Sequence, residues 1–287
     1  YGAGGGTDQL ARLTATELEK QLGQTVIVEN LPGAGGIIGT EHVMKSAADG
    51  YTLLLGSGSE LELIRITDPG AHRPHWEPLT PVALIGTQPM IMVARGTLPI
   101  DTADELVQAL HNHPGSLSMA SAGVGTQLHL AGEMIESSAH IEMPHVPYKS
   151  GTQIATDLIG GHIDLAMMAI PTVLPFLQSG KLKALGVTDT QRSPAVPDVP
   201  TFNESRSIKN IDMKLWYGLF GPPGLPASVV QRVHQALVAV LAVPATRAKL
   251  LGMAITLPKD HSADALNRVK RVQLQKMKAA FEGLKKK

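Results

Sequence analysis

Apolar side chains recur along this chain with two periods, and the switches between them outline its elements. Over residues 8–22, Ala11, Ala15, Leu18 and Leu22 return at helical spacing while Arg12, Glu19 and Lys20 face away, and Gly23 follows at a stop position. Thr25–Glu29 reads as a short β-branched strand, and the loop Pro32–Gly36 opens a helix over 38–47. After the turn signal Asp49-Gly50, the continuous apolar run Tyr51–Leu55 predicts a buried strand. Strands alternating with helices in this way predict a parallel sheet with helices on its faces.

The rhythm then restarts. A strand over 82–94 precedes a helix over 102–112, with Asp101 or Thr102 as N-cap. The strand Leu117–Ala120 runs into the loop Ser121–Thr126 and a helix continuing to 138. Further strands at 143–146, 163–168 and 182–188 alternate with helices at 150–159 and 171–178. A strand at 213–220 precedes Pro222-Pro223-Gly224 and helices at 226–241, 244–251 and 262–282. Val229, Val233, Leu237 and Val240 make one apolar stripe on the first of these. Two α/β blocks result, 1–95 and 100–212, with the C-terminal helices packing back on the first. The expected lobes are 1–97 plus 222–287 and 98–221, joined by hinge strands near 93–100 and 213–222, and each is expected to hold a mostly parallel sheet. Closure of two lobes about such a hinge is a standard way to enclose a ligand.

Composition narrows the function. The 287 residues are enough for two lobes, and 43% apolar against 17% charged residues excludes a disordered chain. Lys plus Arg (25) equals Asp plus Glu (25), so no overall field draws in nucleic acid, and Lys285-Lys286-Lys287 reads as a solvated end. Nowhere do about 20 apolar residues run together as a membrane span requires. The absence of cysteine excludes disulfides, thiolate metal sites and cysteine nucleophiles. A glycine loop opens the chain where such loops normally follow a strand, which predicts a first strand and a processed signal peptide ahead of Tyr1.

The most informative chemistry is a matched pair of loops. Gly4-Gly5-Gly6-Thr7-Asp8 and Gly123-Val124-Gly125-Thr126-Gln127 each stand at a strand-to-helix junction. Glycines let backbone N–H groups converge, a helix N-terminus carries about half a positive charge, and Thr7 and Thr126 add hydroxyls. Either loop alone also reads as an ordinary tight turn; at equivalent places in two blocks, the pair favours anion binding. His129, one turn into the helix after the second loop, is a candidate ligand contact or a structural histidine. Glu60 and Glu62 follow a strand end, where open α/β sheets bind ligands, so Glu60 reaches the cleft or lies on a solvated loop face, with Ser57 and Ser59 beside it. His111 and His113 cannot share a helix face, and His72 and His75 lack partner carboxylates. Neither G-x-G-x-x-G nor a P-loop, G-x-S-x-G or H-E-x-x-H is present, so no catalytic residue, metal site or cofactor is expected.

These segments, taken in order, resemble the tripartite tricarboxylate transporter receptors, the Bug family of periplasmic binding proteins. The matching stretches include Gly4–Asp8, Val28-Glu29-Asn30-x-Pro32–Gly36, Asp49–Gly56, Gly123-x-Gly125 with His129–Glu133, His145–Lys149, Arg192–Thr201 and Trp216–Phe220. The resemblance implies a two-lobed type II periplasmic-binding fold in the periplasm, and a small organic acid delivered to the subunits of a membrane permease. It assigns Gly5, Gly6, Thr7 and Asp8 to the first wall of the site, and Gly125, Thr126 and His129 to the second. Gly123, Tyr148, Met168 and Ala169 complete the expected lining. A monomer is expected, and no nucleic-acid partner.

Four departures from the family pattern concern the distal pocket: Gln127, Ser150, Met168-Ala169 and Ile64-Arg65. Met168 and Ala169 stand where relatives often offer polar groups, which favours a monocarboxylate or aromatic acid over citrate. A two-lobed enzyme acting on a carboxylate and an orphan sensing receptor are the alternative readings. The lack of a nucleophile, base and metal set speaks against the enzyme.

Overall fold

The strand β2 (Thr80–Arg95) is long enough to serve two sheets, and the whole architecture follows from it. The computed structural model describes residues 1–63, 66 and 79–285, so the Ile64-Arg65, His72 and His75 readings lie outside the described residues, as do Lys286 and Lys287. The first half of β2, Thr80–Pro89, pairs with β7 (Lys214–Gly221), which pairs in turn with β1 (Leu54–Ser57). Its second half, Met90–Arg95, pairs with β5 (Leu165–Ala169) and with β6 (Leu182–Val187). Beyond β5 lie β3 (Met119–Ser121) and β4 (His145–Pro147).

Among the described strands, the β3–β4 and β3–β5 ladders are parallel and the other ladders antiparallel, where mostly parallel sheets were expected. The reason lies in β2, which enters the second sheet directly from the first. Without a helical crossover, nothing sets it parallel to its neighbours. Thr25–Glu29, expected as a strand, forms no ladder. Its side chains alternate between half-buried and exposed, with Ile27 84% exposed.

The passage between sheets occurs at Pro89–Met90, earlier than the expected 93–100, and β7 lies in the first sheet, where the sequence reading placed it at a lobe boundary. Thr188, just past β6, ties the two crossings together. Its N–H donates to the Met90 carbonyl at 2.9 Å, and its Oγ1 accepts from Met90 N–H at 3.0 Å. The same hydroxyl donates to the Met213 carbonyl at 2.6 Å, and Met213 N–H returns a bond to the Thr188 carbonyl at 3.0 Å. One buried threonine thus clips the outgoing and returning strands.

Helices flank both sheets: α1 (Gly6–Leu22), α2 (Ile37–Met44), α3 (Ala103–Asn112), α4 (Gln127–Ala139), α5 (Gly151–Gly160), α6 (Ile170–Gln178), α7 (Ala227–Ala242), α8 (Pro244–Gly252) and α9 (Ala263–Lys285). Sequence signals explain their ends. Gly23 adopts the left-handed conformation (φ 69°) that stops α1, and Thr102 with Glu105 forms a capping box at α3. On α7, Val233, Ala236, Leu237, Val240 and Leu241 are buried, and the helix packs against α1 and β2. Each of the buried valines and leucines contributes about 1.5–3 kcal/mol relative to exposure. The last helix, α9, packs on β2 and β7 but also touches α4, so the C-terminal segment bears on both halves. None of the described helices is singly long and apolar enough to cross a membrane.

Candidate functional site

Four helix N-termini meet around one cavity. It is lined by Gly5, Gly6 and Thr7 at the start of α1, Thr126 and Leu128 at α4, Ser150 and Gly151 at α5, and Ala169 and Thr172 at α6. Ser57 at the end of β1 and Ser59 just past it, Leu215 and Tyr217 on β7, and Tyr1, Gly2, Ala122, Lys149 and Met168 complete the wall. The volume is about 70 Å³, room for about five to seven water-sized groups at ~10–15 Å³ each. No acidic side chain is among the lining residues, and Lys149 is their sole charged one.

Two of these termini are left without a side-chain cap, while Thr126 caps α4 and Ser150 caps α5. Gly5 and Ala169 cap α1 and α6 without any side-chain hydrogen bond, so the first N–H groups of both helices have no side-chain acceptor. Gly4 turns with φ 78°, and its N–H donates to Asp8 Oδ2 at 2.8 Å. Arg12 Nε and Asn30 Nδ2 also donate to the Asp8 carboxylate, each at 2.9 Å. Burial pushes the Asp8 carboxyl up, but these bonds outweigh it and hold it below its ordinary range. Asp8 therefore shapes the first glycine loop from behind and does not line the cavity.

The second loop is also supported from behind, but its threonine caps the helix it opens. Gly123 (φ 120°) and Gly125 (φ 71°) supply its backbone turns without lining the cavity. Thr126 Oγ1 donates to the Gly123 carbonyl at 2.8 Å and accepts from His129 N–H at 3.3 Å, so its proton is held within the loop. Behind it, Gly125 N–H donates to His129 Nδ1 at 3.3 Å, and His129 Nε2 lies 3.3 Å from Glu133 Oε1. That bond holds the Glu133 carboxyl below its ordinary range. The His129 ring stacks 4.0 Å from His145, whose Nε2 is 2.8 Å from Ser121 Oγ. His129 is thus a support of the loop, outside the cavity wall.

Glu60 occupies neither of its expected places. It is 2% exposed and sits behind the cavity, in a π-helical turn at Ser59–Leu63. Ser57 Oγ donates to its Oε2 at 2.6 Å, Ser57 N–H donates to Oε1, and the Tyr1 hydroxyl lies 2.9 Å from Oε2 and from the Gly35 carbonyl. Burial raises the Glu60 carboxyl above its ordinary range despite these bonds, and it raises the Tyr1 hydroxyl as well. Tyr148 also lies off the cavity, its hydroxyl donating to Asp157 Oδ2 at 2.5 Å.

The structure therefore brings Gly5, Gly6, Thr7, Ser57, Ser59, Thr126, Met168 and Ala169 onto one wall system, and places Asp8, Glu60, Gly123, Gly125, His129 and Tyr148 behind it. Sequence reasoning missed Tyr217, Leu215, Lys149 and Thr172 as lining, and reached Ser150 only as a departure at the distal pocket. No sequence signal marks Tyr217: only the β1–β7 ladder places it directly opposite Ser57, and Leu215 shares its face by strand alternation. Among the described residues, no group of three His, Asp or Glu is arranged to hold a metal.

Two sheets joined by paired crossings, with a cavity ringed by helix N-termini, define a two-lobed solute-binding receptor of the type II periplasmic-binding class. Residues 10–285 match the model of the tripartite tricarboxylate transporter family receptor. The chain belongs to that family, whose members are periplasmic solute receptors and not enzymes. Protein BugT of Bordetella pertussis (strain Tohama I) is 34% identical over 239 residues, covering 82% of this chain and 73% of that protein. The structure of the periplasmic binding protein BugD superposes with TM-score 0.91 at 31% identity, covering 99% of this chain and 95% of BugD. MatC (Rpa3494) of Rhodopseudomonas palustris, solved with bound malate, superposes with TM-score 0.90 at 27% identity, covering 98% and 96%.

Proposed function

We propose that this receptor captures a small organic acid in the interlobe cavity and hands it to the permease of a tripartite transport system. The observation that carries the reading is electrostatic. Four helix N-termini and the Lys149 ammonium face a lining with no carboxylate, an arrangement that favours an anion and penalises a cation. The lobes are taken as 1–89 with 214–285, and 90–213, hinged where Thr188 joins Met90 and Met213. Backbone N–H groups at Gly6 and Thr7 are the primary anion donors, with Ser150 and Lys149 opposite. Ala122, Leu128, Met168, Ala169 and Leu215 give the rest of the acid an apolar bed. Malate in MatC supports the same ligand class, while the small volume and the apolar bed disfavour citrate, whose extra carboxylates would be buried unpaired.

Calorimetry with malate, benzoate, citrate and choline tests this. The expected result is binding of malate or benzoate above citrate, none of choline, and about tenfold weaker acid binding by Lys149→Met with a shallower salt dependence. Choline binding without acid binding overturns the anion reading. Citrate as the tightest ligand overturns the specificity.

A further inference from the structure

Gln127 is the first residue of α4, in the second lobe, yet its recorded partners lie in the first. It is fully buried. Its N–H donates to Ser59 Oγ at 3.0 Å, and its Nε2 donates to the Lys214 carbonyl at 3.1 Å. Its Oε1 has no hydrogen-bond partner, and neither does the buried indole Nε1 of Trp216. Both atoms crowd the bare Cα of Gly58: a methyl there would stand 2.6 Å from Gln127 Oε1 and 2.7 Å from Trp216 Nε1. A side chain from one lobe is thus inserted between Ser59, Lys214 and the Gly58–Trp216 edge of the other.

We propose that Gln127 is the closure latch of this receptor, a positioning residue that docks in the Gly58–Trp216 slot when the lobes shut. The proposal rests on the ligand reading above, and it deepens it by assigning how capture is held. On docking, two hydrogen bonds form across the cleft while one acceptor and one donor lose water without finding a partner. Bonds made and solvation lost oppose each other, so the latch alone holds an empty cleft shut for only part of the population. A ligand that touches both walls tips the balance, because it binds the shut form in preference to the open one. The latch also reaches the ligand site: Ser59, which accepts from Gln127 N–H, lines the cavity. A residue with a short hydroxyl side chain at position 127 would keep the backbone bond to Ser59 and lose the side-chain bond to Lys214.

The experiment uses Trp216 as its reporter, with Trp76→Phe as background, since the sequence has two tryptophans. In that background Gln127→Ala is compared with the parent, ligand-free and with malate, by acrylamide quenching of Trp216 and by stopped-flow binding. The expected result is at least twofold stronger Trp216 quenching in the variant, and a malate dissociation rate about tenfold faster with an unchanged association rate. Thermal unfolding of the ligand-free variant stays within a few degrees of the parent, which separates a latch from a merely structural residue. Equal quenching in parent and variant overturns the proposal, whether or not malate binds. Failure of the parent to bind any acid overturns the ligand reading instead, and the ligand-free quenching still decides the latch.

Discussion

Gly6 and Ala169 meet across the cleft so closely that a methyl group on Gly6 would stand 2.7 Å from the Ala169 Cβ. Gly6 opens α1 and Ala169 ends β5; under the proposed lobe assignment the two lie in different lobes, and the contact is expected only while the lobes are together. Gly6→Ala is therefore expected to strain the shut form by about 1–3 kcal/mol, roughly 5- to 150-fold in ligand affinity. The ligand-free protein is expected to unfold as before, because its lobes can part and alanine suits a first helical turn. Calorimetry and thermal melts check both. Adding Ala169→Gly to Gly6→Ala is expected to restore affinity; a double variant as weak as the single one rejects the contact as the cause.

Thr188 offers a test of the hinge. Thr188→Val keeps the shape and removes the hydroxyl that serves Met90 N–H and the Met213 carbonyl. Leaving buried backbone groups unpaired is expected to cost about 1–3 kcal/mol in urea unfolding, with Thr188→Ser close to wild type. If Val is as stable as Thr, the clip contributes nothing and the crossings are held by packing alone.

Most of the element order was legible because it is local. The Gly23 stop, the Thr102 cap and the α7 stripe depend on neighbours within a few turns. The crossing at Pro89–Met90 was not: Gly86-Thr87-Gln88-Pro89 interrupts the apolar run there, but a proline marks a break in the ladder without saying that the strand runs on into a second sheet. The two glycine loops were readable as ends of helices, and the structure brings both to one cavity through Thr7 and Thr126. The side chains that shape them from behind were not readable as such. Asp8, His129 and Glu60 each look like ligand contacts in sequence, and only their three-dimensional partners reveal that they point into the protein. Tyr217 and Lys149 failed in the opposite sense, since nothing local marks a β7 tyrosine as facing Ser57.

Glu60 separates these two kinds of role experimentally. A carboxylate facing the ligand would repel a second ligand carboxylate, so Glu60→Gln would improve dicarboxylates alone. With its oxygens held by Ser57 and Tyr1 instead, Glu60→Gln is expected to shift malate and benzoate affinity by the same factor. Glu60→Ala leaves the Ser57 N–H and hydroxyl without their acceptor, while Tyr1 keeps the Gly35 carbonyl, and is expected to weaken both acids by about 1–3 kcal/mol. A selective gain for malate would return Glu60 to the cavity wall.

The cluster behind the second loop makes stability depend on pH with a definite sign. Burial pushes the Glu136 carboxyl up to about 7, with the neighbouring Glu133 and Glu142 charges adding and His129 subtracting. Burial and the neighbouring His129 push His145 down to about 4, against the pull of Glu133. Between its ordinary value of 4.5 and about 7, the folded protein keeps a proton on Glu136 that the unfolded chain releases, so stability falls as pH rises through that window. His145 acts oppositely between about 4 and 6.5, where the unfolded chain binds the extra proton and stability rises with pH. Substituting Glu136 alone therefore isolates the falling component. In Glu136→Gln the amide oxygen still accepts from Met143 N–H, as the carboxylate does. The variant is expected to match wild type near pH 4.5 and to gain steadily up to pH 7, ending about 1–2 kcal/mol more stable once partial exposure has screened the effect. Urea unfolding at pH 4.5, 6, 7 and 8 measures the difference, and a gap that fails to grow between pH 4.5 and 7 would show that Glu136 is already ionised in the folded protein across that window.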